Sequence, residues 1–485
     1  MDIVDLESQV YHFGVKKIRS IILILIVSSM LSLAASSIIE IDDRGYVYAG
    51  KDIINYNLLD MDIPQYVDGK EVLGIRERGF SGYTNIRSVN LPSSILEIEA
   101  EAFSDCDSLE NINIPNNTSA IGSKAFCGCI SLKDVIIPFS VERIGDRAFW
   151  GCSNLESVLM LGNIKEIEPL TFYWCFKLES FYIPDSVIAI GEKAFYSCFR
   201  LEDVYIPNSV VSIGDEAFEY TSLKSVYIPM SVEYIGKDVF YGCSDLSDIR
   251  VSDYNKRYES IEGILIDKNE ELIRYPSAKE GAIYTIPKSV RSIASGAFQG
   301  CSNITYLEIT DDVYSIGHSA FRNCTNLRNI YVSKNNKSYK SVDGVLFDES
   351  GEILIRYPSC KVETEYVIPD TVSTIGVSSF EDSINISEIT IPDSVAILGD
   401  GCFAGCSNLE SISIPDSVVS IGLEAFFGCT SLKRIFIPYS VEKIGATAFS
   451  FCSDLQEICI DRERDSIYGA PWSEIDIEVR WRGDF

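Results

Sequence analysis

The sequence predicts a repeat solenoid of the α/β type, mostly β, in which stacked coils share one parallel sheet. The first observation is a 23-residue unit, seen from Ile414 to Phe436, that recurs along most of the 485-residue chain. A fixed period in the twenties is typical of stacked-repeat architectures. The second observation is the alternating segment L-x-x-V-x-I in each unit, which indicates a short strand. The third is a signature phenylalanine, found at Phe80, Phe103, Phe126, Phe149, Phe172, Phe195, Phe218, Phe240, Phe298, Phe321, Phe380, Phe403, Phe426 and Phe449.

The strand comes from the L-x-x-V-x-I segment, in which Leu201, Val204 and Ile206 of one unit point inward and Pro207 ends the strand. We expect this sheet on the concave face of the coil. The segment S-V-x-x-I-G crosses to the other side, and its glycine, such as Gly145, is predicted to adopt a turn with positive φ. The segment A-F-x-G-C is predicted to form short 3₁₀ or helical turns on the convex face.

The departures from the period divide the chain. Two longer units resemble each other, and each contains two apolar runs around a polar turn, which indicates a hairpin. The predicted regions are a signal peptide or signal-anchor (1–36), an N-terminal cap (37–79), the repeat solenoid (80–460) with hairpin-containing inserts near 252–283 and 333–365, and a C-terminal cap or tail (461–485).

The N-terminal pattern is typical of secretion. Lys16, Lys17 and Arg19 precede a short apolar run that ends in small residues. An uncleaved signal-anchor is the alternative, and it is the one membrane contact that we expect. Either interpretation places the repeats outside the cytoplasm, so we expect an extracellular or cell-surface protein.

The charge balance bears on the partner. The chain has 71 acidic and 41 basic side chains, a formal net charge of −30. An acidic surface repels phosphate backbones, so nucleic acid is not expected to bind.

The repeated IPxSVxxIGxxAFxGCxxLxxVxIP, over about residues 63–460, resembles the BspA-type leucine-rich repeat family, also called the Treponema pallidum type. The resemblance implies a leucine-rich repeat coil in a secreted or surface protein that binds host matrix proteins, host receptors or other bacteria. It implies no catalytic residues.

Eleven of the fifteen cysteines occupy one repeat position and are expected to form a buried column. Side chains in such a column run parallel, which disfavours bridging, so we expect free thiols, although a secreted chain also admits disulfides. Cys127-x-Cys129 and Cys402-x₃-Cys406 lack a second pair at zinc spacing. We therefore expect no metal site.

No enzyme activity and no cofactor are expected. Of the two histidines, His12 lies in the N-terminal segment and His318 fills a variable repeat position. No nucleotide-binding loop is present.

The candidate binding residues occupy the outward position before the last isoleucine of each strand. Their side chains are predicted to face the open concave surface, where exposed apolar groups mark interaction sites. Charged neighbours Lys133, Glu156, Glu179 and Glu202 would form a rim. The alternative is that these tyrosines only stabilise the sheet by stacking across strands. The candidates are Ile136, Leu159, Tyr182, Tyr205, Tyr227, Tyr331 and Phe436.

A second, weaker candidate is Arg482-Gly483-Asp484, the tripeptide that integrins recognise. The leading prediction is a protein that binds an extracellular matrix or cell-surface protein of unknown identity, with adhesion to host matrix, host cells or other microbes as the expected role. The alternative is a structural spacer or envelope scaffold without a dedicated ligand.

Overall fold

The computed structural model describes residues 39–50, 59–463, 467, 472 and 477–482. These residues form 42 β-strands and no helix of any type. The predicted signal or anchor at 1–36 lies outside the described residues. Within them, no helix has the length and apolar composition that a bilayer crossing requires.

The first strands precede the regular coils and pair mostly with one another, so that β1 and β2 are antiparallel and β6 continues their sheet. They are β1 (Ile39–Ile41), β2 (Tyr46–Ala49), β3 (Asp60–Asp62), β4 (Tyr66–Val67), β5 (Lys70–Glu71) and β6 (Gly74–Ile75).

Each regular coil contributes two strands rather than the one that the sequence predicts. From β7 to β21, the even-numbered strands have two residues each and form a first row. The odd-numbered strands come from the L-x-x-V-x-I segments and form a second row. The strands are β7 (Ser88–Asn90), β8 (Glu97–Ile98), β9 (Asn111–Ile112), β10 (Ala120–Ile121), β11 (Asp134–Ile137), β12 (Arg143–Ile144), β13 (Ser157–Met160), β14 (Glu166–Ile167), β15 (Ser180–Tyr182), β16 (Ala189–Ile190), β17 (Asp203–Tyr205), β18 (Ser212–Ile213), β19 (Ser225–Ile228), β20 (Tyr234–Ile235) and β21 (Asp248–Val251).

The remaining strands include two three-stranded inserts, β22–β24 and β30–β32, between which the two rows resume. They are β22 (Tyr258–Ile261), β23 (Ile264–Asp267), β24 (Glu271–Arg274), β25 (Ile283–Thr285), β26 (Ser292–Ile293), β27 (Tyr306–Ile309), β28 (Ser315–Ile316), β29 (Asn329–Val332), β30 (Tyr339–Val342), β31 (Val345–Asp348), β32 (Ile353–Arg356), β33 (Glu365–Val367), β34 (Thr374–Ile375), β35 (Glu388–Thr390), β36 (Ile397–Leu398), β37 (Ser411–Ile412), β38 (Ser420–Ile421), β39 (Arg434–Ile437), β40 (Lys443–Ile444), β41 (Glu457–Ile460) and β42 (Glu478–Trp481).

The A-F-x-G-C segments are consecutive turns, so the predicted helical turns are wrong. Around Phe126, Lys124 and Gly128 have φ of 55° and 74°, which a right-handed helix does not admit. The N–H groups of Lys124, Phe126 and Gly128 donate to carbonyls of the next coil at 2.7–2.9 Å. Alternate donors therefore join neighbouring coils instead of closing helical turns.

The repeat glycine also has a different role from the predicted one. Gly145 does not adopt positive φ, but a Cβ there would lie 2.4 Å from the backbone nitrogen of Ser123. Glycine is required because the backbones of adjacent coils touch at this corner.

The core is built from stacked rings. Phe195 is fully buried, and its ring centroid lies 5.3 Å from that of Phe172 and 5.3 Å from that of Phe218. The rings form three separate stacks along the described part of the chain. The second stack begins with Tyr275 and the third with Tyr357, and each of these tyrosines belongs to an insert.

Each insert contains an antiparallel hairpin, β23–β24 or β31–β32, to which β22 or β30 adds a third strand. β23 is buried along its whole length and pairs antiparallel with β22 and β24, while β24 pairs parallel with β26 of the first row. The described residues contain three apolar clusters, which meet within β23 and β31, at Ile264–Leu265 and Val345–Leu346. The inserts thus close one part of the coil and begin the next.

The cysteine column consists of free thiols. All eleven repeat cysteines donate a hydrogen bond to the carbonyl of the preceding stacked ring, as Cys129 does to Phe103 at 3.1 Å. Burial raises the pKa of the Cys324 thiol to about 11 and that of Cys452 to about 11. The thiols act as small apolar groups that also satisfy a buried carbonyl.

We therefore expect an exposed-thiol reagent such as DTNB to label at most two cysteines of the native protein, Cys360 and Cys459, which are half-buried. Labelling requires a thiolate to attack the disulfide of the reagent, and the other thiols are buried away from it. Unfolding in denaturant without reductant should release all fifteen. Cys459→Ser should remove one native label, and a disulfide-bonded column would instead yield few thiols after unfolding.

Candidate functional site

Five exposed apolar side chains form one continuous surface across the second row. We call Ile136, Leu159, Tyr182, Tyr205 and Tyr227 the apolar stripe, and each is 38–51% exposed. Their neighbours on the same strands are apolar and buried or half-buried. The alternation of strand side chains therefore places the five on the solvent face of the row.

Hydrogen-bonded pairing fixes the spacing of the stripe. Ile136 lies opposite Leu159 in parallel register, and Tyr182 lies opposite Tyr205. The rings of Tyr182 and Tyr205 are stacked with centroids 5.5 Å apart and planes 3° apart. Tyr227 follows on β19, which contacts β17. Backbone pairing thus sets the positions within each pair of strands, and the pairs lie in contact along the row.

The charged rim contains acidic and basic groups. Glu156 forms no ion pair with any described residue, and its coil lies between those of Lys133 and Glu179. The hydrogen bond from Lys133 lowers the pKa of the Glu110 carboxyl. The rim is therefore neutralised at its two ends and remains negative at its centre. The ion pairs are Lys133–Glu110 (2.7 Å), Arg200–Glu179 (3.9 Å) and Lys224–Glu202 (2.5 Å).

Tyr331 and Phe436 are exposed, but they do not join the stripe. Tyr331 lies on β29 opposite Glu308, in a sheet between the two inserts. Phe436 lies on β39 opposite Cys459, beyond the second insert. The sequence could not show this separation, because the period alone does not say where the row is interrupted.

The tripeptide candidate is described only at its first residue. Arg482 forms an ion pair with Asp461 at 2.7 Å and lies over the ring of Tyr439, 5.1 Å from its centroid. Gly483 and Asp484 lie outside the described residues. An integrin would have to draw this guanidinium away from Asp461, so the motif stays a prediction.

A second aromatic surface, at the turns, was not predicted. Trp150 and Trp174 stack with centroids 5.8 Å apart, and Phe176 and Phe199 stack with centroids 5.2 Å apart. Trp174 has a φ of 64°, a conformation that bulky residues avoid. The available signal was a tryptophan in a position that is glycine in other coils, such as Gly151.

Nothing in the described residues groups three metal-ligating side chains at a site that could hold an ion. His318 is exposed on a turn. The sequence candidates that the structure brings together are therefore those of the apolar stripe.

The model of the BspA type leucine-rich repeat region matches the chain in six copies, over residues 55–175, 165–262, 282–349 and 356–473. These ranges cover most of the sequence and include every strand of the apolar stripe. No curated protein matches the chain.

Several solved structures are similar to this one. A leucine-rich cell surface protein from Faecalibacterium prausnitzii is 26% identical, with 90% of this chain and 97% of that chain covered and a TM-score of 0.49. A leucine-rich repeat protein from Bacteroides ovatus is 24% identical, with 93% and 100% covered and a TM-score of 0.39. The pneumococcal vaccine antigen PcpA is 19% identical, with 90% and 93% covered and a TM-score of 0.33.

Proposed function

Since the chain belongs to the family of BspA-type leucine-rich repeat proteins, we propose that it binds another protein through the apolar stripe, outside the cell or at its surface. The observation that carries the proposal is the row of five exposed apolar side chains on strands that lie next to one another. Tyrosine is favoured in interfaces because it contributes a large contact area and a polar group.

The rim defines the chemistry of the partner. Glu156, three residues before Leu159 of the stripe, forms no ion pair with any described residue, and the whole chain carries a net charge of −30. A partner with apolar side chains next to a lysine or arginine would complement both features. Matrix and cell-surface proteins that present such segments are the proposed ligands, in an adhesive role. The proposal includes no catalytic step and no cofactor.

The alternative function is a spacer, and one observation favours it. The stacked rings of Tyr182 and Tyr205 stabilise two neighbouring strands, as exposed aromatic pairs do in sheets without any ligand. Stability and binding must therefore be measured separately.

We expect the triple variant Tyr182→Ser, Tyr205→Ser, Tyr227→Ser to lose at least tenfold in affinity for its partner, because buried interface tyrosines each contribute about 2 kcal/mol when they are hot spots. Surface plasmon resonance against a panel of purified matrix proteins measures it. Circular dichroism should show that the coil remains folded, since all three side chains are exposed.

The matched control removes three exposed tyrosines elsewhere, with Tyr66→Ser, Tyr254→Ser and Tyr314→Ser. It should bind as the unmodified protein does. Equal binding by both triple variants would exclude the stripe as the binding surface. If no protein of the panel binds and the stripe variant loses stability, the spacer function is favoured.

A further inference from the structure

The apolar stripe crosses successive coils, and the spacing of these coils restricts what can lie along it. Hydrogen-bonded parallel strands stand about 4.8 Å apart, so the five side chains extend over about 19 Å at right angles to the strands. Parallel register holds Ile136 beside Leu159 and Tyr182 beside Tyr205, and the strand pairs contact each other. A single partner segment that follows the stripe must therefore present an apolar side chain about every 4.8 Å.

An α-helix meets this requirement better than an extended strand does. The helix rises about 1.5 Å per residue, so positions spaced alternately by three and four residues lie on one face, about 4.5 and 6 Å apart. Five such positions span about 21 Å. Side chains on one face of a strand recur about every 6.7 Å, so about three of them would meet the five coils. The stripe thus matches the apolar face of a helix that lies along the solenoid axis.

One side of the stripe carries carboxylates. The residue two positions before the stripe points to the same face of its strand, because strand side chains alternate. Asp134 and Asp203 occupy this position on β11 and β17 and are exposed. Glu156, which directly precedes β13, is exposed on the same side. We call these three carboxylates the acidic flank.

The acidic flank is not neutralised within the described part of the chain. None of its three carboxylates forms an ion pair there, and the neighbouring cations bind other acids. Lys133 lies 2.7 Å from Glu110, and Lys224 lies 2.5 Å from Glu202. The ion pairs of the rim therefore leave a negative edge along one side of the stripe.

The opposite side of the stripe is mostly uncharged. Phe139 is 75% exposed at one end of it and Met230 is 54% exposed at the other. Between them lie Leu161, Asp185 and Asn208, of which only Asp185 is charged. A complementary partner is thus apolar in the middle, basic on one side and uncharged on the other. A helix presents side chains all round its axis, whereas a strand presents only two opposite faces.

We infer that the ligand of the apolar stripe is a single amphipathic α-helix of about four turns, which lies along the solenoid axis with lysine or arginine side chains over the acidic flank. The inference rests on the function proposed above and specifies the partner of that site. Of the two directions in which the helix can lie, the favoured one places its basic side over the acidic flank.

The test compares two synthetic peptides of about 18 residues and identical composition. The helical peptide has leucines spaced alternately by three and four residues, one lysine beside them in each heptad, and alanine and glutamine elsewhere. Its isomer has the leucines at alternate positions. Fluorescence anisotropy with the full protein should give one-to-one binding of the helical peptide, at least tenfold tighter than that of the isomer.

Circular dichroism provides a second readout. The described residues of the protein contain no helix, so a helical signal that appears on mixing belongs to the bound peptide. We expect such a gain, because an isolated helix of this length is only partly formed in water. The stripe variant defined above, with its three Tyr→Ser changes, should bind the helical peptide at least tenfold more weakly.

Charge reversal tests the acidic flank. The variant Glu156→Lys, Asp203→Lys should bind the helical peptide at least tenfold more weakly, and it should bind a peptide with glutamate in place of lysine more tightly than the unmodified protein does. The matched control is Asp393→Lys, Glu442→Lys, which reverses two exposed carboxylates in coils beyond the second insert. This control should bind both peptides almost as the unmodified protein does.

The inference is overturned if neither peptide binds, if the isomer binds as tightly as the helical peptide, or if binding brings no helical signal. Equal losses in the two charge-reversal variants would also overturn it. If a matrix protein still binds through the three tyrosines in any of these cases, the function proposed above stands and only the helical partner is excluded. If neither the peptides nor any matrix protein binds, both proposals fail.

Discussion

Phe195→Ala destabilises the protein by about 3–5 kcal/mol, the range observed when a buried phenylalanine is truncated. The side chain is fully buried, stacks on two rings at 5.3 Å and meets the ring of Phe181 edge-on at 4.9 Å. Its removal leaves a cavity that the hydrogen-bonded coils on both sides prevent from closing. Urea unfolding followed by circular dichroism measures the loss.

The control for this prediction is Phe199→Ala in the same coil. Phe199 is about half exposed, so its truncation should change the free energy of unfolding by less than about 1 kcal/mol. Equal losses for Phe195 and Phe199 would contradict the conclusion that the stacked column, rather than aromatic content in general, holds the coils together.

Gly145→Ala is expected to destabilise the protein by about 3 kcal/mol, at the upper end of the usual cost of overpacking. The added Cβ would lie 2.4 Å from the backbone nitrogen and 2.7 Å from the Cα of Ser123. These are backbone atoms, so they cannot move away by a side-chain rotation. The midpoint of urea unfolding, with unchanged slope, measures the effect.

Gly151→Ala is the matched control, because it makes the same substitution in the same coil. Gly151 has a φ of +73°, and its nearest neighbour to an added Cβ is 3.8 Å away. The cost is then conformational only, about 1 kcal/mol. If Gly151→Ala proved more costly than Gly145→Ala, the requirement at the repeat glycine would be a backbone conformation rather than close contact.

The fold could be predicted from the sequence to the extent that it depends on period and alternation. The recurring phenylalanines indicate stacked coils, and the alternation around Tyr182 places that side chain on the solvent face. The first row could not be predicted, because strands of two residues, such as Ala120–Ile121, are too short to show a period. The conformation of the turns could not be predicted, because left-handed residues such as Lys124 and Leu170 are of types that rarely adopt this conformation.

The candidate sites depend on contacts that no local pattern contains. Each residue of the apolar stripe can be identified within its own repeat, but their continuity depends on which strands are adjacent. Partner binding by the stripe and by Arg482 stays a prediction.

The inserts divide the stacked rings into three groups, and this division affects how local unfolding spreads along the protein. In a linear array each coil is stabilised mainly by its two neighbours, so local unfolding spreads from coil to coil. One apolar cluster ends and the next begins at β23 and at β31. Local unfolding that reaches either strand must disrupt a three-stranded antiparallel unit before it can spread further. The protein should therefore exchange its amide hydrogens in three cooperative blocks, so that one end can open while the others keep their native surface.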